Sequence, residues 1–168
     1  MSACLLGERV RYDGQAKGIS WIAETLTGEV EVVSICPEVG AGMPVPRPPI
    51  QIVDMPGRGL QLVEVDGERN HSEAMQSFTE GELRKLAAGP IDGYIFKARS
   101  PSCGLRDTPQ FASAASGEPA LRVGAGLWAA SIRLQWPNLP CVDESEVSDA
   151  EGRARFLEQV HAHWQERC

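Results

Sequence analysis

Three cysteines each stand at the end of a short apolar run: Cys4 in Ser2-Ala3-Cys4-Leu5-Leu6-Gly7, Cys36 in Val32-Val33-Ser34-Ile35-Cys36-Pro37-Glu38, and Cys103 in Ala98-Arg99-Ser100-Pro101-Ser102-Cys103-Gly104. A thiolate is a nucleophile and a soft metal ligand. One buried cysteine is most often a small core hydrophobe, but three at the ends of predicted strands, each beside turn-forming residues, are expected to meet in space. Structural zinc asks for four protein ligands, often in Cys-x-x-Cys pairs, and the chain has no such pair. A catalytic thiol needs a base beside it, and His71, His161 and His163 lie away from the cysteine loops in sequence. An iron-sulfur cluster is usually held by four cysteines. With three, one iron has no protein ligand and can act as a Lewis acid toward a soft sulfur atom. The expectation is that Cys4, Cys36 and Cys103 converge on such a cluster. Cys141, between Pro140 and Val142, reads as core packing, and Cys168 as a free thiol.

The elements that must carry these residues follow from pattern. Residues 1 to 6 predict a very short strand running into Cys4 and turned by Gly7, then a polar loop closed by Asp13-Gly14. Ile19, Ile22, Ala23 and Leu26 have the spacing of a helix with one buried face, ending near Gly28. Val30 to Cys36 predicts a buried strand stopped by Pro37. From Pro37 to Pro49, five prolines and two glycines predict a rigid irregular loop suited to positioning ligands. Ile50 to Val53 and Leu60 to Val65 predict a hairpin around Met55-Pro56-Gly57, with Asp66-Gly67 closing it. Ser72 to Ala88 predicts a helix, with Thr79 and Glu82 able to cap a second start. Gly93 to Ala98 predicts the strand that feeds Cys103, and Leu105 to Arg122 an ordered loop or lid. Leu127 to Trp136 predicts a helix and Leu139 to Val142 a strand. A last helix over about 149 to 166 opens on a Ser148/Glu151 capping box and carries an apolar stripe of Phe156, Leu157, Val160 and Trp164. The alternation predicts an α/β fold: a single domain with a mostly parallel sheet, helices on both faces, and the site at the carboxyl ends of strands.

The chain's 168 residues suit one domain, and 42% hydrophobic with 23% charged residues is an ordinary globular balance. No stretch approaches about 20 apolar residues, and the start lacks the pattern of a signal peptide. A cytoplasmic monomer is expected, in which five irregularly spaced cysteines are reduced thiols rather than a disulfide framework. The net charge of -7 disfavours broad binding to nucleic acid, so the expected partner is a small-molecule substrate. A local cluster of Arg9, Arg11, Arg47 and Arg99 could still receive an anion or a polar base.

Three ordered motifs carry a resemblance. They are Ser2 to Gly7 with Arg11-Tyr12-Asp13-Gly14, Cys36-Pro37-Glu38 with Gly42-Met43-Pro44-Val45-Pro46-Arg47-Pro48, and Lys97-Ala98-Arg99-Ser100-Pro101-Ser102-Cys103-Gly104. With them the chain resembles the 2-thiouracil desulfidases, over roughly residues 1 to 145. The resemblance implies a 4Fe-4S cluster held by Cys4, Cys36 and Cys103 alone, with one open iron. It also implies non-redox removal of sulfur from a thiolated pyrimidine such as 2-thiouracil by water, giving uracil and hydrogen sulfide. The last helix lies beyond the part that matches.

In such a reaction a carboxylate should deprotonate the attacking water. Glu38, two residues after a ligand, is the first candidate and Asp13 the second. Each also has a plainer reading: Glu38 as a turn cap or a partner of Arg47, and Asp13 as the residue that makes the Asp-Gly turn. Ser100 could donate to the substrate or relay a proton. Ser102 could contact substrate, with satisfaction of loop backbone as its simpler role. Arg11, Arg47 and Arg99 could hold the substrate's carbonyl edge or offset cluster charge, while Lys97 reads as a strand-edge residue. Trp21, Trp128, Trp136 and Trp164 read as core, with Trp128 a candidate to stack on a flat ring. The alternative is a module that binds a cluster or sulfide without turnover; action on thiolated RNA is disfavoured by the acidic balance.

Overall fold

The run Tyr94-Ile95-Phe96, aromatic and β-branched, is the strand on which the apolar packing converges. In the computed structural model, which describes residues 1–67 and 69–167, the strands are β1 (Ile50–Met55), β2 (Gly59–Glu64), β3 (Tyr94–Phe96), β4 (Thr108–Phe111), β5 (Arg122–Gly124) and β6 (Cys141–Asp143). The α-helical segments are α1 (Thr27–Glu29), α2 (Pro37–Gly40), α3 (Ser72–Ala87), α4 (Leu127–Gln135) and α5 (Ala150–Arg167). Cys168 lies outside the described residues.

β3 and β6 pair in parallel, Ile95 opposite Val142. The amino-terminal backbone extends this pair: Ser2 N–H donates to Ile95 O at 3.0 Å, Ala3 N–H to Ile35 O at 3.0 Å, and Ile35 N–H to Met1 O at 3.0 Å, with Ser2 and Ile35 bridged in parallel. The result is a parallel array in the order 35, 2, 95, 142. Alternation along β3 sends its side chains to opposite faces. Tyr94 and Phe96 pack with Trp128, Ala129 and Ile132 of α4, and Ile95 packs with Ile22, Leu26, Val142 and Phe156 of α5. Helices therefore cover both faces, as the α/β reading expects. A second, mixed sheet has the order β2-β1-β4-β5, antiparallel at the β1/β2 and β4/β5 pairings and parallel between β1 and β4. Among the described residues no helix is long and apolar enough to cross a membrane.

Several elements differ from expectation. After its single bridge at Ser2 the chain turns into a 3-10 turn, Ala3–Leu6, closed by Gly7 at φ 97°. Residues 30–34 form no strand: Val30 and Val33 are 37% and 50% exposed, and pairing begins only at Ile35. The helix predicted from Ile19 runs as a wide π-turn, Ile22–Leu26, continued by α1. The proline-rich segment opens with one helical turn, α2, where Pro37 at the first position needs no N–H partner. α3 is unbroken through Thr79. The expected loop after Leu105 contains β4 and ends at β5. Pro109 disguised β4, and it sits before the residues that pair with β1, Gln110 and Phe111. Asp149, not Ser148, caps α5, its Oδ1 accepting the Gly152 N–H at 2.8 Å. Trp128 is fully buried and donates to Tyr94 Oη at 2.9 Å, so it stacks on no ligand, and Trp164 is 49% exposed rather than core.

Candidate active site

The carboxyl ends of the parallel array open into one cavity of about 700 Å3, whose walls include Cys4, Cys36 and Cys103. Cys4 follows the Ser2 bridge on the 3-10 turn, Cys36 follows Ile35, and Cys103 lies on the loop after β3. All three are free thiols, Cys4 and Cys103 buried and Cys36 half-buried. Burial pushes the Cys4 thiol up to about 11, with the neighbouring Cys36 adding to the rise and Lys97 and Arg11 opposing it. Burial raises Cys103 further, and raises Cys36 as well.

The Cys103 loop is fixed by backbone bonding. Carbonyls of Pro101 and Ser102 accept the N–H groups of Leu127 and Trp128 at 3.1 and 3.0 Å, so the loop caps the start of α4. Gly126 permits this approach: a Cβ there would stand 2.5 Å from Ser102 O and 2.8 Å from Ser100 O. Arg99 adopts φ 58°, held by its N–H to Asp107 Oδ1 at 2.9 Å.

Opposite the loop, Glu38 is buried and ion-paired with Arg47 through Nε at 3.0 Å and through Nη2. Arg47 also donates to Pro44 O at 3.1 Å and Val10 O at 2.9 Å. Its guanidinium thus orients Glu38 and two loops while lining the same cavity. Ser102 Oγ donates to Glu38 Oε1 at 2.6 Å. Ser100 Oγ accepts the N–H groups of Cys103 at 3.1 Å and Ser102 at 3.3 Å, and lies 3.2 Å from Ser102 Oγ. Because the single Ser102 proton is directed to Glu38, Ser100 is the donor between the two hydroxyls. Ser100 Oγ thus satisfies loop backbone as well as meeting Ser102, and Ser102 Oγ meets the carboxylate.

Arg11, Arg99, Ser100 and Ser102 line the cavity. Asp13 does not: its carboxylate accepts from Arg11 at 3.3 Å and from the Gln15 N–H at 3.0 Å. That N–H, and then the adjacent Arg11 guanidinium, hold its carboxyl below the usual range despite some desolvation. Sequence reasoning missed Glu144, and read Lys97 as an edge residue. The two form an ion pair on the cavity wall, with Glu144 Oε2 accepting the Ala98 N–H at 2.6 Å. The one signal for Glu144 was its place just past a strand parallel to β3.

The donor set suits an iron-sulfur cluster. Soft thiols come from three separate loops, the two carboxylates of the cavity are engaged by their own cations, and no histidine is among the lining residues. An iron-sulfur cluster takes one thiolate at each of several irons.

Over residues 1–144 the chain matches the 2-thiouracil desulfurase family. It is similar to the uncharacterized protein YbbK of Bacillus subtilis (strain 168), with 30% identity over 112 residues, covering 62% of this chain and 71% of that protein. It is also similar to a solved structure of the 4Fe-4S-dependent thiouracil desulfidase TudS, with 32% identity and a TM-score of 0.68, covering 88% of this chain and 90% of that one. A match reaching from the first residue through all three cysteine motifs to Glu144 makes the chain a member of the 2-thiouracil desulfurase family.

Proposed function

We propose that this single-domain chain is a desulfidase that removes sulfur from a free thiolated pyrimidine such as 2-thiouracil by water, giving uracil and hydrogen sulfide. Cys4, Cys36 and Cys103 would hold a 4Fe-4S cluster with one iron left open. When bound, the cluster would supply a Lewis-acidic iron matched to a soft thiocarbonyl sulfur. The observation that carries the proposal is the meeting, in one cavity, of three free thiols with the chain of bonds Ser100, Ser102, Glu38.

In this reading Glu38 accepts the proton of the attacking water, either directly at the cavity wall or through the two serine hydroxyls, and later returns it to the leaving sulfide. Arg47 balances the charge of the buried carboxylate and keeps it in place, which an unpaired buried charge could not do. Arg11 and Arg99 at the mouth would offset the charge of the cluster. Asp13 serves indirectly, by holding Arg11. The net charge of -7 agrees with a free base rather than a thiolated RNA as substrate, and the enzyme is taken to be a cytoplasmic monomer.

The test is purification without oxygen, with iron, sulfide and the broad absorbance near ~400 nm of a thiolate-bound cluster measured, and sulfide release from 2-thiouracil followed. Serine at Cys4, Cys36 or Cys103 is expected to abolish both cluster and turnover, and serine at Cys141 to leave both. Iron-free wild-type protein, or equal tolerance at all four positions, overturns the proposal.

A further inference from the structure

Lys97 is an inward cation of the cavity with, among the described residues, an N–H to spare. Its ammonium has three donors. One goes to Glu144 Oε1 and one to Ala98 O at 3.1 Å. Glu144 is in turn anchored by the Ala98 N–H, so the ion pair ties the end of β3 to the end of β6. The neighbouring cations are placed differently: Arg47 is bound up with Glu38, Arg11 reaches Asp13, and Lys17 and Arg99 are exposed at the mouth. Lys97 is half-buried, and its charge is felt at the Cys4 thiol. A donor already held in place loses little freedom when it meets a ligand, and a charged donor makes the stronger hydrogen bond.

On the desulfidase reading, on which this inference rests, the substrate ring brings two exocyclic groups: the sulfur that leaves, and a carbonyl oxygen two ring positions away that takes no part in the chemistry. We infer that Lys97, positioned by Glu144, donates its remaining N–H to that unreacted oxygen and thereby selects thiopyrimidines that carry it. The preference of the enzyme for 2-thiouracil over 2-mercaptopyrimidine, which lacks the oxygen, resides in this contact.

The experiment compares wild type, Lys97→Met and Glu144→Gln, each loaded with cluster. Calorimetry measures binding of uracil and of pyrimidin-2-one, and sulfide release is measured from 2-thiouracil and 2-mercaptopyrimidine. Melting temperature and iron content are read alongside. Loss of a hydrogen bond to a charged donor weakens uracil about tenfold or more in Lys97→Met, and pyrimidin-2-one less than about twofold, with kcat/KM following the same pattern. Glu144→Gln, which keeps the ammonium but frees it, shifts the ratio the same way by less and covers the case in which Lys97→Met does not fold. Equal losses for both ligands, or no loss, overturn the inference and leave the pair as a staple between β3 and β6. A wild type that binds cluster but releases no sulfide from 2-thiouracil overturns the desulfidase reading itself, an outcome distinct from turnover without discrimination.

Discussion

Glu38 has two tasks that pull apart at the level of single atoms. Oε2 is held by Arg47, which makes it structural, whereas Oε1 accepts from Ser102 and is the end of the hydroxyl chain. Glu38→Gln keeps a planar group of the same shape but cannot take a proton. Sulfide release is expected to fall ~10²–10⁴-fold, the range for a lost general base, with iron content and visible absorbance unchanged; full activity in this variant would remove Glu38 from the chemistry. Ser102→Ala separates relay from positioning. It leaves Oε1 without its donor in a buried setting, at a cost of about 1–3 kcal/mol, and turnover falls together with melting temperature; Ser100→Ala, which strands the Cys103 and Ser102 N–H groups, lowers turnover with a thermal effect at least as large. Most of this site was legible because its parts are local: each cysteine, Glu38, and both serines sit within motifs a few residues long. Glu144 was not, since its bond to Lys97 spans 47 positions and an isolated glutamate carries no local signature. The bond from Ser102 to Glu38 was hidden for the same reason, its partner being 64 positions away.

Elements that bury one face announced themselves, and those defined by a partner did not. The hairpin β1/β2, helix α3 and helix α4 follow from turn residues and periodicity. The segment before Cys36 carries the composition of a strand, but residues 1 to 3 bridge it at Ile35, with Met1 N donating to Val33 O at 2.7 Å, and the Val33 side chain stays exposed. β4 was hidden because its pairing with β1 is non-local and its second residue is proline. The junction of the Cys103 loop with α4 is the element-scale feature with the sharpest consequence. Two backbone carbonyls sit where a side chain at Gly126 would have to go. Gly126→Ala therefore pushes the loop away from the helix start, weakening the bonds to Leu127 and Trp128. A destabilisation of about 1–3 kcal/mol is expected for such overpacking, which corresponds to a melting temperature lower by roughly 2–12 °C in a chain of this size. Iron content should fall as well, because Cys103 moves with the loop. Gly81→Ala on α3, where nothing lies within 4 Å, is the control and should be neutral or slightly stabilising.

At the scale of the whole molecule, gathering three thiols where a parallel array ends carries a consequence for stability that depends on whether the thiols are ligated. In metal-free protein Cys4 is pushed up to about 11 by burial, and Cys103 and Cys36 are raised in the same direction. An unfolded cysteine ionises near about 8.5. Below that pH both states keep their protons and stability is unaffected. Above it the unfolded chain releases protons that the folded chain retains, so stability falls as pH rises toward the folded values. Each such group contributes a slope of about 1.4 kcal/mol per pH unit across its window. The thiols' contribution to the melting temperature of metal-free protein is therefore expected to be level from pH 7 to about 8.5 and to decline steadily to about 11. Tyr94, a buried phenol raised by burial, adds the same sign at the upper end. Cys103→Ala removes one contributor and should make the decline shallower without shifting the pH at which it begins. Cluster loading reverses the dependence: ligated sulfurs are thiolates in the folded state, so alkali has nothing to take from them, and acid competes for them instead. Loaded protein should accordingly hold its melting temperature to higher pH than metal-free protein and lose cluster as pH falls. Superimposable alkaline profiles for the two forms would show that these thiols do not bind the cluster.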